Sequence, residues 1–371
     1  MPAHLILALL LMAPTDQTVQ VAKGTKLDVN NFAGDVVIKT WDKDAVRVEV
    51  NHSDRETIDI KQNDQTLTVR GRSSRGPLRS LDYNITVPGW MAVNVSGNYA
   101  DVTMEGVGGD VTVDTTHGDI KVRGGSGFVS LKTVMGEITL EKAKGRVEVR
   151  DVNESIHLAD INGDLSAEST NGSIILDRID SGNVDLYTVN GNISYDGPVR
   201  DKGVYRLTTH NGMIAMPIAE RVNATLTART YNGSIRSTFT LPGDTPERRG
   251  KRLTLTLGNG SAHIELESFG GAIALRRPGE ARPETERKRT RDMVNKVLEK
   301  AIEDAKEKDK SKEKGKGDQF GLAGFGIDVD AVVAEALAEA QAAIPDAIAA
   351  AQDALRLAMP RAVPRPRPDP R

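Results

Sequence analysis

The 371 residues hold 49 Lys and Arg against 52 Asp and Glu, a formal charge of −3, and this balance excludes a whole-chain nucleic-acid binder. The absence of cysteine excludes disulfides, thiol nucleophiles, iron–sulfur clusters and cysteine zinc sites together. With 35 glycines and only 4% aromatic residues, the composition asks for many tight turns and no large ring-built core.

At the N-terminus, residues 5–12 read LILALLLM and are followed by Ala13 and Pro14. This is the core and exit of a secretory signal peptide, placed over residues 1–16, and the run is too short to span a bilayer. The preceding MPAH carries no Lys or Arg and no small-Xaa-small cleavage site follows, so an uncleaved start and a cytoplasmic strand stay open as alternatives. The leading expectation is export to the periplasm or the cell surface.

Residues 18–105 alternate apolar and polar in stretches such as AVRVEV, QTLTVRG and YNITVPG, at irregular spacing. They are expected to form an N-terminal β cap and the first coils, with Trp41 and Trp90 plugging the interior.

From residue 106 to 277 a nine-residue rhythm takes over. Gly118, Gly127, Gly136 and Gly145 are nine apart, Glu154 holds the next place, Gly163 and Gly172 continue, and Gly182 and Gly191 follow. The second and fourth residues after each anchor are apolar, as in Ile120 and Val122, Val129 and Leu131, Ile138 and Leu140, Val147 and Val149, and Ile156 and Leu158. Each unit is therefore a short strand with one buried face. The seventh residue is usually apolar as well, which predicts three inward points per unit, in a strand and a corner.

A longer period overlies the first: STNGSIIL, TVNGNISY, THNGMIAM and TYNGSIRS place Gly172, Gly191, Gly212 and Gly233 in like settings. One full turn is then about two nonads, with equivalent residues stacked about 4.8 Å apart in parallel strands. Asn-Gly is read here as a pair that tolerates positive φ. An antiparallel meander also uses Asn-Gly turns, but it does not explain why like residues recur in every second strand. The expected fold is all-β: a β-solenoid, parallel β-helix-like, with about two nine-residue units per coil. A single coil buries too little to stand alone, so both ends need covers.

The segment LPGDTPERRGK at 241–251 interrupts the strands as an insertion between coils, and Glu247, Arg248 and Arg249 within it are candidate partner contacts. Beyond the repeats lie a charged amphipathic helix at 283–314, a Gly-rich linker at 315–327, an Ala-rich helical segment at 328–358 and a disordered Pro/Arg-rich tail at 359–371. The apolar stripe from Met293 to Ile302 suits packing on the last coil, binding a partner, or lying on a membrane surface.

The opening NNFAGDVVIKTWDKDAVRVEV, the passage YNITVPGWMAVNVSGNYADVTMEGVGGDVTVDTTHGDIKV and the recurrent Asn-Gly-Xaa-Ile turns resemble the bacterial DUF4097 family, over about residues 20–277. The resemblance implies right-handed β-solenoids, exported or displayed by bacteria, under an adhesin label that rests on inference. It supplies no catalytic residues.

The residues themselves point away from chemistry. Arg123 with Glu141, Arg146 with Asp164, and Arg150 with Glu168 stand one coil apart as surface ion pairs. Calcium-binding nonapeptides need Gly-Gly-Xaa-Gly-Xaa-Asp, whereas GGSGFV at 124–129 has Val in the Asp place. His117 and His210 take comparable turn positions but lie coils apart, and no metal triad or phosphate loop is spelled out. Outward aromatics are few, chiefly Phe128 and Tyr187, on no common column. Lys121 and His157 form a further candidate contact column.

The sequence thus predicts a non-enzymatic, exported interaction and scaffold module without metal or cofactor. Its expected partner is a protein or polysaccharide surface, and not nucleic acid. The alternatives are a scaffold that polymerises by stacking solenoid ends, and a polysaccharide-acting enzyme on a β-helix.

Overall fold

The computed structural model describes residues 13–63, 65–77, 79–240 and 251–280. Among them the regular structure is all strand, in two sheets of thirteen strands each. The first sheet runs from Ala13–Gln20 through Ala45–His52, Asp82–Pro88, Val36–Trp41 and Val102–Glu105. Strands that begin at Ile120, Ile138, Ile156, Ile174, Ile193 and Ile214 follow, and Ile273–Arg276 and Ile235–Ser237 end it. The second sheet starts at Glu56–Asn63 and Thr66–Ser73, continues through Lys26–Ala33 and Ala92–Tyr99, and takes the alternate strands from Val111–Asp114 onward. Both sheets are mixed and largely parallel; the antiparallel pairs lie at their ends.

Consecutive strands in the middle of the chain alternate between the sheets, so each strand pairs with the one two places on. Ile120 lies beside Ile138, Ile138 beside Ile156, and Ile156 beside Ile174, each eighteen residues later and each fully buried. The second sheet aligns Val111, Val129, Val147 and Leu165 in the same way. The inward residues of both sheets merge into one apolar core from Val21 to Leu275. Alternation with a period of two, carried at an interval of eighteen, is what allows short strands to share that burial.

Three local expectations need correction. The seventh residue of the unit points inward at only one of the two corners: Ala143, Ile161 and Ile179 are fully buried, whereas Val134 is 39% exposed and Val152 and Val189 are half-buried. At that second corner the inward place belongs to a polar residue, namely Thr133, Asp151, Ser169 and Thr188.

Trp41 and Trp90 are half-buried braces, not plugs. Their indole N–H groups need acceptors, and they donate to Ala45 O at 2.7 Å and Asp44 Oδ1 at 2.9 Å around one turn. Tyr83, Tyr195 and Tyr205 fill the interior instead.

Lastly, the coils do not stack in chain order at the far end. The coil of Ala262–Ser268 and Ile273–Arg276 lies between that of Val204–Thr209 and Ile214–Pro217 and that of Ala224–Thr230 and Ile235–Ser237. Ala262, Ile264, Leu266 and Ser268 are all buried and need a neighbour on each side. Arg252–Leu257, whose leucines stay half-buried, takes the edge, antiparallel to Ala224–Thr230.

Ala13–Asp16, which the sequence reading counts within the export signal, form the first half of a strand paired with Val50–His52 and Glu49. The rest of that segment lies outside the described residues, as do the helical, linker and tail segments expected beyond residue 282.

Candidate interaction edge

Lys121 and His157 share one outward column of the first sheet, with Thr139 between them. They do not meet. Lys121 Nζ lies 3.3 Å from Asp119, and His157 Nε2 lies 3.2 Å from Glu137 Oε1. Glu247, Arg248 and Arg249 lie outside the described residues. Of the ion pairs expected across coils, Arg150 meets Glu168 at 3.3 Å and Arg123 stands 3.9 Å from Glu141. Arg146 turns instead to Glu148 on its own strand. Among the described residues, no group of three or more His, Asp or Glu is placed to hold a metal ion.

A different set of residues converges at the corner where the chain passes from the second sheet to the first. Its inner wall is a ladder of hydroxyls. Thr188 Oγ1 donates to Gly172 O at 2.9 Å, and Thr209 to Gly191 O, Ser268 to Gly212 O and Thr230 to Gly271 O at 2.8 Å each. Ser268 Oγ and Thr230 Oγ1 also cap their own turns by accepting the Gly271 and Gly233 N–H groups, as Ser169 Oγ accepts the Gly172 N–H at 2.9 Å. Buried polar groups are thereby satisfied from coil to coil.

The glycines of this corner are required by contact and not by φ, which corrects the reading of Asn-Gly. Gly172, Gly191, Gly212 and Gly233 do not adopt positive φ. A Cβ at Gly212 would sit 1.8 Å from Gly191 O, and one at Gly191 would sit 1.9 Å from Gly172 O. Only glycine lets the coils close to strand spacing here.

Asp151 departs from the hydroxyl pattern. Its Oδ2 accepts the Glu154 N–H at 2.6 Å, while Oδ1 is buried without a partner. Burial pushes the carboxyl up to about 6, against the opposing pull of backbone N–H groups.

The asparagines of three Asn-Gly pairs, Asn171, Asn190 and Asn211, face outward and, with Asn153, bond to one another. Asn171 Nδ2 donates to Asn153 Oδ1 at 3.0 Å, Asn190 to Asn171 at 3.0 Å, and Asn211 to Asn190 at 2.9 Å. At one end, Asn153 donates to Val134 O at 2.9 Å. At the other, the next rung is Gly270, and Asn211 Oδ1 faces no side chain. Ladders of this kind add hydrogen bonds along a stack of strands.

Aromatic groups flank the amides on both sides. Tyr99 stacks on His117 at 4.7 Å and meets the edge of Phe32 at 6.1 Å. Beyond Asn211, His210 stacks on Phe269 at 4.7 Å and 3°, and Tyr231 follows at 5.2 Å with the Arg229 guanidinium 5.3 Å from its ring. Six of the nine exposed large apolar residues among those described lie on this corner: Phe32, Tyr99, Val134, Met135, Tyr231 and Phe269. Sequence reasoning sought outward aromatics along the strands and missed them. The visible signal was their place one or two residues before the turn, as in Met135 before Gly136 and Tyr231 before Asn232-Gly233, but Phe269 joins His210 and Tyr231 only through the out-of-order coil.

A family profile described as Toastrack DUF4097 matches residues 24–276, from the turn before Lys26 to the end of the last strand. The chain belongs to the Toastrack DUF4097 family. The Toastrack DUF4097 match takes in every residue of the hydroxyl ladder, the amide ladder and both aromatic groups. None of the curated proteins compared with the chain matches it. Among solved structures, a candidate cell adhesion protein from Clostridium sporogenes is similar at 11% identity and a TM-score of 0.21, over 71% of this chain and 100% of that one. A candidate adhesin from Bacteroides fragilis is similar at 11% and 0.28, over 71% and 97%, and one from Parabacteroides distasonis at 10% and 0.26, over 72% and 97%. At scores this low, nothing about those proteins transfers to this Toastrack DUF4097 chain.

Proposed function

We propose that this chain is a non-enzymatic, exported β-solenoid that serves the cell envelope as an adhesin-like interaction and scaffold module. Its mechanism is presentation, with no bond made or broken. The observation that carries this reading is the in-register repetition of outward residues along two thirteen-stranded sheets, which sets equivalent side chains about 4.8 Å apart. Such a surface gains affinity from many weak contacts repeated along a protein or polysaccharide surface.

The outward charges support it. Arg178 pairs with Asp160 and Arg229 with Glu267, so charge is neutralised between coils and is not gathered around one reactive point. A glycoside hydrolase needs two carboxylates flanking the scissile bond, whereas the carboxylates at the corner that carries the aromatics are engaged within the protein, Asp119 with the Glu137 N–H and Lys121, and Glu137 with His157. Polymerisation through the N-terminal edge of the second sheet is disfavoured by its chemistry. The terminal hairpin of Glu56–Asn63 and Thr66–Ser73 sets Asp59 against Lys61, Arg70 and Arg72, a charged edge that discourages further pairing.

Cell fractionation with mass spectrometry of the mature N-terminus tests the reading. The expected result is an envelope or extracellular chain that has lost residues 5–12. A cytosolic chain that retains Met1 overturns it.

A further inference from the structure

The geometry points to the amide ladder, with its two aromatic ends, as a binding edge for an extended, neutral, hydroxyl-rich polysaccharide. This rests on the interaction-module reading and names the partner and the place.

The rungs supply a repeating set of hydrogen-bonding groups. A primary amide has two N–H donors and a carbonyl with two lone pairs. Asn171 and Asn190 each spend one donor and one lone pair within the ladder, which leaves one of each unspent on every exposed rung. Asn211 keeps its whole carbonyl oxygen available beside the His210–Phe269 stack. A sugar hydroxyl is itself both donor and acceptor, so one hydroxyl pair satisfies one rung.

The backbone at this corner is already committed. The N–H groups of Asn171, Asn190 and Asn211 donate to Val152 O, Thr170 O and Val189 O of the preceding coil. A peptide adding itself as a strand finds no main-chain donors there. The ligand must bond through side chains alone.

Charge narrows the class further. Thr170 and Ser173 lie beside Asn171, and Val189 and Asn192 beside Asn190, while the stretch towards Tyr99 carries the acidic Asp101, Asp119, Glu137 and Glu154. Arg229, the cation beside Tyr231, is held by Glu267 at 2.7 Å. Polyanions therefore lack the cationic contacts they need. The exposed rings suit instead the apolar C–H faces of sugar rings, which stack on aromatic planes. Tyr99 and Asn232 stand eight rungs apart, roughly 38 Å at about 4.8 Å per coil. A chain-like ligand bridges both aromatic ends at that distance, and a monosaccharide does not.

The experiment is affinity electrophoresis and calorimetry of the full chain with dextran, mannan and mixed-linkage β-glucan as neutral probes and polygalacturonate as the anionic one. The wild-type protein is expected to be retarded by at least one neutral polymer and not by polygalacturonate. F269A and Y99A are expected each to weaken binding about tenfold, the usual loss for an aromatic anchor, with unchanged melting. F128A, an exposed ring on the face of the second sheet and off this corner, should bind as wild type. Failure of every neutral polymer to retard the wild type overturns the inference, as does equal binding by F269A and Y99A. Adhesion of the purified chain to cells that persists after periodate oxidation of their glycans, and is unchanged in F269A, also overturns it while leaving the broader module intact. Absence of both adhesion and polysaccharide binding overturns the two together.

Discussion

A methyl group at Gly191 would lie 1.9 Å from the carbonyl oxygen of Gly172, nineteen residues earlier in the chain and one coil away in space. No side chain can turn aside from a backbone atom at that distance, so the two coils must part. G191A is expected to lose about 3 kcal/mol or more in urea unfolding. Gly182 holds a place in the same sequence rhythm, yet nothing lies within 4 Å of its would-be Cβ. G182A should stay within about 0.5–1 kcal/mol of wild type, and equal losses in the two variants would refute the steric account.

The Asp151 carboxyl titrates near 6 in the fold against 3.8 as its ordinary value. The folded chain holds a proton that the unfolded chain releases between those two values, so stability falls as pH rises through that window. The loss sets in around pH 3.8 and is complete about one unit above the folded value of about 6. Two pKa units correspond to about 3 kcal/mol. D151T, which restores the hydroxyl found at Thr133, should be more stable than wild type at pH 7 by up to that amount. The two should unfold together at pH 4. Denaturant melts of both proteins at the two values measure the difference directly.

Thr188 Oγ1 is fully buried and donates to Gly172 O. T188V keeps the shape and orphans that carbonyl, at a cost of about 1–2 kcal/mol. V189T, one residue away and half-buried, should be close to neutral. A thermal melt that ranks the two in the opposite order would remove the hydroxyl ladder as a source of stability.

Ile138 is fully buried between Ile120 and Ile156. I138D places an unpaired charge within the shared core, and about 4 kcal/mol or more is lost. Circular dichroism should report a collapsed transition; a melt unchanged from wild type would mean that the strand faces are reversed.

The inward positions were legible because alternation at offsets of two and four, repeated every eighteen residues, leaves a single consistent face: Ile120, Ile138, Ile156 and Ile174 follow from arithmetic alone. The corners were not. A nine-residue average merges two corners of different chemistry, and so Ala143 and Val134 look alike in sequence although one is buried and the other exposed. The role of Asn171 was hidden because an Asn-Gly pair signals a turn in any single strand pair, and only stacking brings Asn153 within reach of its amide. The pairing of Phe269 with His210 depended on which late coil can be flanked on both sides, a property of burial and not of order along the chain.

That displaced coil imposes a schedule on the growing polypeptide. As the ribosome delivers residues in order, 224–237 emerge before 262–276, yet the neighbour that 224–237 will finally touch has not been made. The wall left open at Ile214 must therefore wait, or be covered provisionally by the wrong partner, until translation has passed residue 276. A chain cut short at residue 260 would lose its penultimate layer and strand its last one, so nascent chains stalled in this stretch should be marked targets for proteolysis.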